Sequence, residues 1–339
     1  MFIGYIQHLS GTGSGELQYL YVSLSNICNA RCSYCDVHSQ PPPVRAYGRQ
    51  ELLDIFGQAK SLGCRTVHFL GGGEPLVAPQ FADAIAACSA LGLHVAITTN
   101  GSHLAKQASS TLRAVDVDMV IISLDSHLSE RHNSIRGMRG LWEKATKGIE
   151  ECARSLPDTR LVVNHVLTTA NIPYLFDFLD WGGGAGIAAV NLIPVKDSLD
   201  LGARLEQVDL LARRFDEIRG YASDRGIELL CQAEDVAEWQ SHATGLATGR
   251  EYRCFFPEHA LYIDFPTGDV FPCDCTIHRG GEGTFELGNI WRESLGTIWS
   301  GGAVGQLRAI LASPCDPGCK RDCDWNNVRT NSFLSLAKQ

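Results

Sequence analysis

Three cysteines carry the most specific chemistry in this sequence. Cys28, Cys32 and Cys35 stand in Cys28-Asn29-Ala30-Arg31-Cys32-Ser33-Tyr34-Cys35, a C-x3-C-x2-C spacing just after an apolar run containing Leu20, Tyr21, Val22 and Leu24. Thiolates are the usual ligands of iron–sulfur clusters. No further cysteine follows before Cys64, so three ligands leave one iron of a four-iron cluster open. An open metal position is where chemistry takes place, whereas closed sites are structural. The competing reading of the spacing is a zinc knuckle that borrows a fourth ligand such as His38.

A second group lies late in the chain: Cys254, Cys273, Cys275, Cys315, Cys319 and Cys323. Leu261-Tyr262-Ile263-Asp264-Phe265 and Asp269-Val270-Phe271-Pro272 flank Thr267-Gly268, a hairpin with its turn at the glycine. Such a hairpin draws Cys254 and Cys273 toward each other. A zinc ribbon is the alternative for this group. Cys64, Cys88, Cys152 and Cys231 are scattered, and three of them fall in or beside helical patterns as buried small apolar residues.

The bulk properties narrow the function class. A chain of 339 residues holds one large domain and a small one. A formal net charge of −9 argues against nucleic acid or an anionic membrane as the main partner. Thirteen cysteines without a signal peptide point to metal or redox chemistry rather than a disulfide framework. Met1 to His8 carry no basic segment leading into a long apolar core, and no run is long enough to span a bilayer. The expected location is cytoplasmic.

The elements that must position the cysteines alternate. β-Branched apolar runs fall at 19–24, 66–70, 94–98, 119–123, 160–167 and 188–193, with helical periodicity at 49–62, 79–91, 103–114, 141–155, 172–181 and 204–225. This alternation predicts a parallel sheet with covering helices, and doubly wound and barrel folds both fit. Six units are too few for an eightfold barrel. In parallel α/β folds the site lies at the C-terminal ends of the strands. Polar motifs fall there. Gly71-Gly72-Gly73-Glu74-Pro75 follows the second strand, where glycines let a ligand approach the backbone and a carboxylate accepts from an ammonium. Thr99 and Asn100 follow the third, where a helix cap is the alternative reading. Ser123 and Asp125 follow the fourth, with Arg136 beyond them; Asn164 lies in the fifth, and Asn191 to Pro194 end the sixth.

These motifs together resemble the radical S-adenosylmethionine (SAM) enzymes, whose cysteine signature also carries an aromatic residue at the position of Tyr34. The resemblance implies an α/β fold, a partial (β/α)6 TIM-like barrel over residues 19–225. It implies a [4Fe–4S] cluster on Cys28, Cys32 and Cys35, with SAM chelated at the open iron. The cluster reduces the sulfonium, and C5′–S cleavage gives a 5′-deoxyadenosyl radical. Gly72, Gly73 and Glu74 resemble the motif that holds the SAM amino group. The resemblance places Ser123 and Asp125 near the ribose and carboxylate, Arg136 at the carboxylate, Asn164 at a polar SAM contact and Ile193 by the adenine. Tyr34, Thr99 and Asn100 complete the expected cofactor-binding set.

The late cysteines resemble the auxiliary-cluster extensions called SPASM and twitch. The expected organisation is a lead-in at 1–18, the core, a linker at 226–252 and a small Cys-rich α+β domain at 253–339. The resemblance favours one auxiliary [4Fe–4S] cluster, with Cys254 and Cys273 as ligands and two more from Cys315, Cys319 and Cys323. Hydrogen abstraction then leads to oxidation, epimerisation or elimination. Asp197, Lys196, His165 and Glu234 are candidate bases by position, and Cys231 or Cys275 a candidate hydrogen donor. Only 27 residues precede Cys28, too few for an independent recognition domain. The first expectation is therefore a small-molecule substrate, a sugar, aminocyclitol or nucleoside in antibiotic biosynthesis, as in the cytosylglucuronate-processing enzymes that the chain loosely resembles. A flavodoxin- or ferredoxin-type protein is the expected electron donor. The alternative is a maturase of a ribosomally made peptide. A non-enzymatic iron–sulfur or zinc regulator is a third reading, opposed by the acidic charge and the lack of a helix-turn-helix pattern.

Overall fold

The β-branched runs become strands, in a computed structural model that describes residues 15–35, 47–194, 205–231, 256–273 and 286–312. The strands are β1 Tyr19–Ser23, β2 Thr66–Phe69, β3 His94–Thr99, β4 Met119–Ser123, β5 Arg160–Leu167, β6 Ala189–Pro194, β7 Glu228–Leu229, β8 Ala260–Asp264, β9 Asp269–Phe271 and β10 Gly288–Asn289. The helices that matter here are α1 Arg49–Ser61, α2 Phe81–Ala90, α3 Leu104–Ala108, α4 Ser129–Ile135, α5 Leu141–Ser155, α6 Leu175–Gly184, α7 Leu205–Arg213 and α8 Phe215–Ser223.

The described residues form two compact units, one drawn from 1–26, 41–95 and 250–339, the other from 27–40 and 96–249. In the first, the strand order is β10-β9-β8-β1-β2. β1 is parallel to both of its neighbours, with Tyr21 level with His68 on β2 and with Tyr262 on β8. β8 and β9 form the hairpin expected from the sequence. Its turn needs Gly268: φ is +84°, and a Cβ there would strike the Trp291 ring. One face of this sheet packs Phe69 against Phe56 of α1 and Phe81 of α2, in edge-on ring contacts at 6.1 and 6.3 Å. The other face carries Tyr21, Phe256 and Tyr262, with Tyr19, Phe271 and Cys273 packed beside them.

In the second unit β3 to β7 are all parallel. Met119 to Ile122 of β4 are buried on both faces, as expected of a strand between two others under covering helices. α5 buries Leu141, Ala145, Gly148, Ile149 and Cys152, a stripe at helical spacing. Gly148 lets α3 sit against it, because a Cβ would lie 2.7 Å from that of Leu104.

Three differences from the sequence reading have local causes. The helix expected at 103–114 is α3 followed by a 3-10 turn at Leu112–Ala114. Ser109 and Ser110 donate to the Lys106 carbonyl at 3.0 and 2.7 Å, competing with the helical ladder. The long helix at 204–225 is two, broken at Arg214, whose φ of −105° and ψ of 9° leave the helical region. α4 has seven residues and buries His132 alone, too little periodicity to mark it in the sequence. Cys64, Cys88, Cys152 and Cys231 are all buried. Among the described residues no helix is long and apolar enough to cross a membrane.

Candidate cofactor-binding site

In the second unit, the cysteine loop is held by its backbone rather than by burial. Arg31 N–H donates to the Arg136 carbonyl at 3.1 Å, and Ser33 N–H to the Ile135 carbonyl at 3.0 Å. The loop thus satisfies carbonyls left over at the C-terminal end of α4. Gly137 permits the approach. Its φ is +59°, and a Cβ would land on the Arg31 carbonyl oxygen. A second tie comes from the turn after β3. Asn100 Nδ2 donates to Asn29 Oδ1 and Asn29 Nδ2 to Ser102 Oγ, both at 2.9 Å. Thr99 Oγ1 accepts from Gly101 N–H at 3.0 Å, so both Thr99 and Asn100 shape the turn. Cys28 and Cys32 are half-buried and Cys35 is exposed.

Asp125 is the polar centre of this unit. Its carboxylate is fully buried and accepts four hydrogen bonds. Arg136 grips it with Nε at 2.6 Å and Nη2 at 2.9 Å. Tyr34 Oη donates to Oδ2 at 2.9 Å, and Val166 N–H to Oδ1 at 3.1 Å. Four acceptor positions are about all a carboxylate has. Burial alone would push its pKa up, but Arg136 outweighs that and holds it below the usual carboxylate range. Burial opposes the charge of Arg136 in turn, and Asp125 overcomes it, raising that pKa. The remaining guanidinium nitrogen, Nη1, lies 3.9 Å from Cys32 Sγ. The guanidinium also stands over the Tyr34 ring, 5.3 Å from its centroid. Burial raises the Cys32 thiol to about 11, with Arg136 pulling the other way.

Two histidines pack around Asp125. His132 Nδ1 accepts from the Asp125 N–H at 3.2 Å, so its proton sits on Nε2. His165 Nδ1 donates to the Leu124 carbonyl at 3.0 Å, and its ring packs at a tilt against Phe178, centroids 4.2 Å apart. Burial lowers both to about 4. Asn164, its neighbour on β5, projects to the opposite face and accepts from Asn191 Nδ2 at 2.9 Å. His165 therefore belongs to the layer beneath α6, not to the face that Asn164 lines. Ser123 and Ile193 are half-buried at the ends of β4 and β6. Cys231 is fully buried just beyond β7.

In the first unit, the loop after β2 is held close to β1. Gly73 N–H donates to the Ser25 carbonyl, and a Cβ on Gly72 (φ +51°) would strike Ser23 Oγ. Glu74 is buried and caps the 3-10 turn Pro75–Val77, its Oε1 accepting from Leu76 N–H at 3.1 Å. Cys273 lies half-buried beside the Tyr21, Phe256 and Tyr262 cluster. Cys254, Cys275, Cys315, Cys319, Cys323, Lys196, Asp197, His38 and Glu234 lie outside the described residues.

Among the described residues no three His, Cys, Asp or Glu side chains are already gathered as a metal site. The donor chemistry nonetheless fits an iron–sulfur cluster. One short, doubly anchored loop offers three thiols, and the carboxylate nearest to it is consumed by Arg136 and Tyr34 rather than available as a hard oxygen ligand. Metal would have to displace the Cys32 proton, as thiolate sites generally require. Sequence reading did not find Asn29, His132, Gly137 or Asn171, whose Nδ2 holds the Asp125 carbonyl at 3.0 Å. Of these, only Gly137, just past a helix end, carries a local signal.

Residues 22–180 match the family model of the radical SAM superfamily, and residues 254–324 match that of SPASM, an iron–sulfur cluster-binding domain. Over 331 residues the chain is 25% identical to the PqqA peptide cyclase of Granulibacter bethesdensis, covering 93% of this chain and 83% of that one. Over 219 residues it is 24% identical to the AdoMet-dependent heme synthase of Oleidesulfovibrio alaskensis, covering 62% of this chain and 54%, about half, of that enzyme's length. Streptococcus suis SuiB, solved with its precursor peptide SuiA, superposes with a TM-score of 0.70 at 17% identity, covering 99% of this chain and 76% of that one.

Proposed function

We propose, from the premise that this chain is a radical SAM protein with a partial-barrel core and a C-terminal SPASM iron–sulfur domain, that it modifies a peptide by hydrogen-atom abstraction. The radical SAM domain implies a [4Fe–4S] cluster and SAM, and the SPASM domain implies auxiliary iron–sulfur clusters. The observation that carries the peptide reading is the alignment with the PqqA peptide cyclase, which covers 93% of this chain and 83% of that one. This reverses the order expected from sequence, in which a sugar, aminocyclitol or nucleoside came first. That order rested on the few residues before Cys28 and on a loose likeness to sugar- and nucleoside-tailoring enzymes, and nothing in the relatives named above speaks for a carbohydrate.

Cys28, Cys32 and Cys35 would hold the first cluster. Cys254 and Cys273, with two of Cys315, Cys319 and Cys323, would hold an auxiliary one. When bound, these groups supply one-electron chemistry: reductive cleavage of SAM and, at the auxiliary site, an outlet for the substrate's electron. The chain's own residues do the positioning. Asn29, Asn100 and the end of α4 fix the cysteine loop. Gly72 and Gly73 open the backbone to a ligand, and Glu74 would accept from its ammonium group. Ser123, Asn164 and Ile193 would meet the polar and adenine parts of SAM. A flavodoxin- or ferredoxin-type donor would supply the electron.

The test is 5′-deoxyadenosine release by anaerobically reconstituted protein with SAM and dithionite, challenged with two pools. One holds linear peptides; the other holds nucleosides, hexoses and aminocyclitols. Stimulation of about tenfold over the substrate-free rate by peptides alone is the expected result. Stimulation by the second pool alone would restore the carbohydrate reading, and no 5′-deoxyadenosine from iron-loaded protein would remove the radical reading itself.

A further inference from the structure

Arg136 has three nitrogens to offer, and the structure accounts for each. Nε and Nη2 close on the two oxygens of Asp125, and Nη1 faces the sulfur of Cys32 at 3.9 Å. Both partners of the ion pair are buried, with side chains 7% and 0% exposed. A planar guanidinium gripped at two nitrogens has one fixed direction for the third. That direction is set from four sides. Asp125 follows just beyond β4, β5 contributes Val166 N–H, α4 leads into Arg136, and the cysteine loop itself returns through Tyr34.

We propose that Asp125 and Tyr34 are positioning residues that aim Arg136 at Cys32, so that Arg136 serves the cysteine that ligates the cluster. This inference rests on the assignment of a cluster to Cys28, Cys32 and Cys35. A fixed positive charge beside a ligand sulfur favours the reduced cluster, since hydrogen bonds and net charge around the sulfurs set its potential. The arrangement therefore tunes the cluster before SAM arrives. A carboxylate partner would act only once SAM is bound.

The two roles separate in a redox titration of SAM-free holoprotein followed by the EPR of the reduced cluster. The relevant signal is the one that changes when SAM is added. Arg136→Lys keeps a charge but cannot hold Asp125 at two points and face Cys32 as well. The reduced-to-oxidised ratio at fixed potential should fall about tenfold, a shift of ~59 mV to lower potential for a one-electron couple. Asp125→Asn is the sharper variant. Losing a negative charge would by field alone raise the potential, whereas releasing Arg136 from its aim lowers it. Tyr34→Phe removes one hydrogen bond, keeps the ring, and should shift the same way by a smaller factor; it decides the matter if Asp125→Asn takes up no iron. An unchanged SAM-free potential in Arg136→Lys, with SAM affinity down tenfold or more by equilibrium dialysis, would overturn the proposal. So would a raised potential in Asp125→Asn. Wild-type protein with no SAM-responsive signal would instead remove the cluster assignment beneath it.

Discussion

Gly137 and Gly140 both sit at positive φ, +59° and +71°, yet they face different surroundings. A Cβ at Gly137 would meet the Arg31 carbonyl oxygen, while at Gly140 the nearest atom is a carboxylate oxygen of Glu143 at 3.9 Å. Gly140→Ala should therefore cost only backbone strain, about 1 kcal/mol. Gly137→Ala should cost roughly 2–3 kcal/mol, because the cysteine loop must also move. Thermal unfolding and iron retained after desalting would separate them, with iron lost in Gly137→Ala alone. The buried histidines make a second prediction at this scale. His132 and His165 are lowered by burial to about 4 from 6.5. Between those values the unfolded chain binds more protons than the folded one, so stability falls as pH falls. It should be level above about pH 6.5 and decline toward pH 4, by up to roughly 3 kcal/mol per histidine. Urea midpoints across that range would show it. A shallower slope in His165→Leu/His132→Gln than in the wild type is the expected pair of results, because His68, lowered by burial to about 3, still contributes its share.

The elements divide the labour. α4 is short and polar, and it offers its C-terminal carbonyls and Arg136 to the cysteine loop; β3 offers the turn that carries Asn100. Asn100→Ala removes the bond to Asn29 and the acceptor of Ser102 N–H together. The expected cost is about 1–2 kcal/mol, with iron occupancy reduced several-fold on reconstitution. An occupancy equal to wild type would mean that the α4 end holds the loop unaided. Much of this level was legible in the sequence. The runs at 119–123 and 160–167 read as strands because buried parallel strands are apolar on both faces. What could not be read was the partner of each polar residue. Asp125 and Arg136 suggested ligand contacts, and their sequence neighbours do not reveal that the two side chains also grip each other across 11 positions of chain. His165 looked like a candidate base, since an alternating strand does not announce which face the helices cover. α4 escaped because a helix that buries a single histidine has no stripe.

At the scale of the whole molecule, the number of clusters follows from cysteines far apart in the chain. One auxiliary cluster predicts about eight irons after anaerobic reconstitution, falling to about four in Cys28→Ala/Cys32→Ala/Cys35→Ala. Two auxiliary clusters predict about twelve falling to about eight. A fall to none would mean that the late cysteines hold no iron. The same molecule has a discontinuous first unit, in which β1 lies between β2 and β8. The ribosome releases β1 and the Cys28 loop that follows it early, and β2 soon after. β8 begins only at Ala260, far later in the chain. Until it emerges, the nascent chain displays three thiols next to a strand with one edge still open, a template for mispairing. Pairing over so long a separation is also slow to form. A chain cut short before β8 should therefore aggregate rather than carry a lone cluster, which sedimentation and iron content of the truncated product would show.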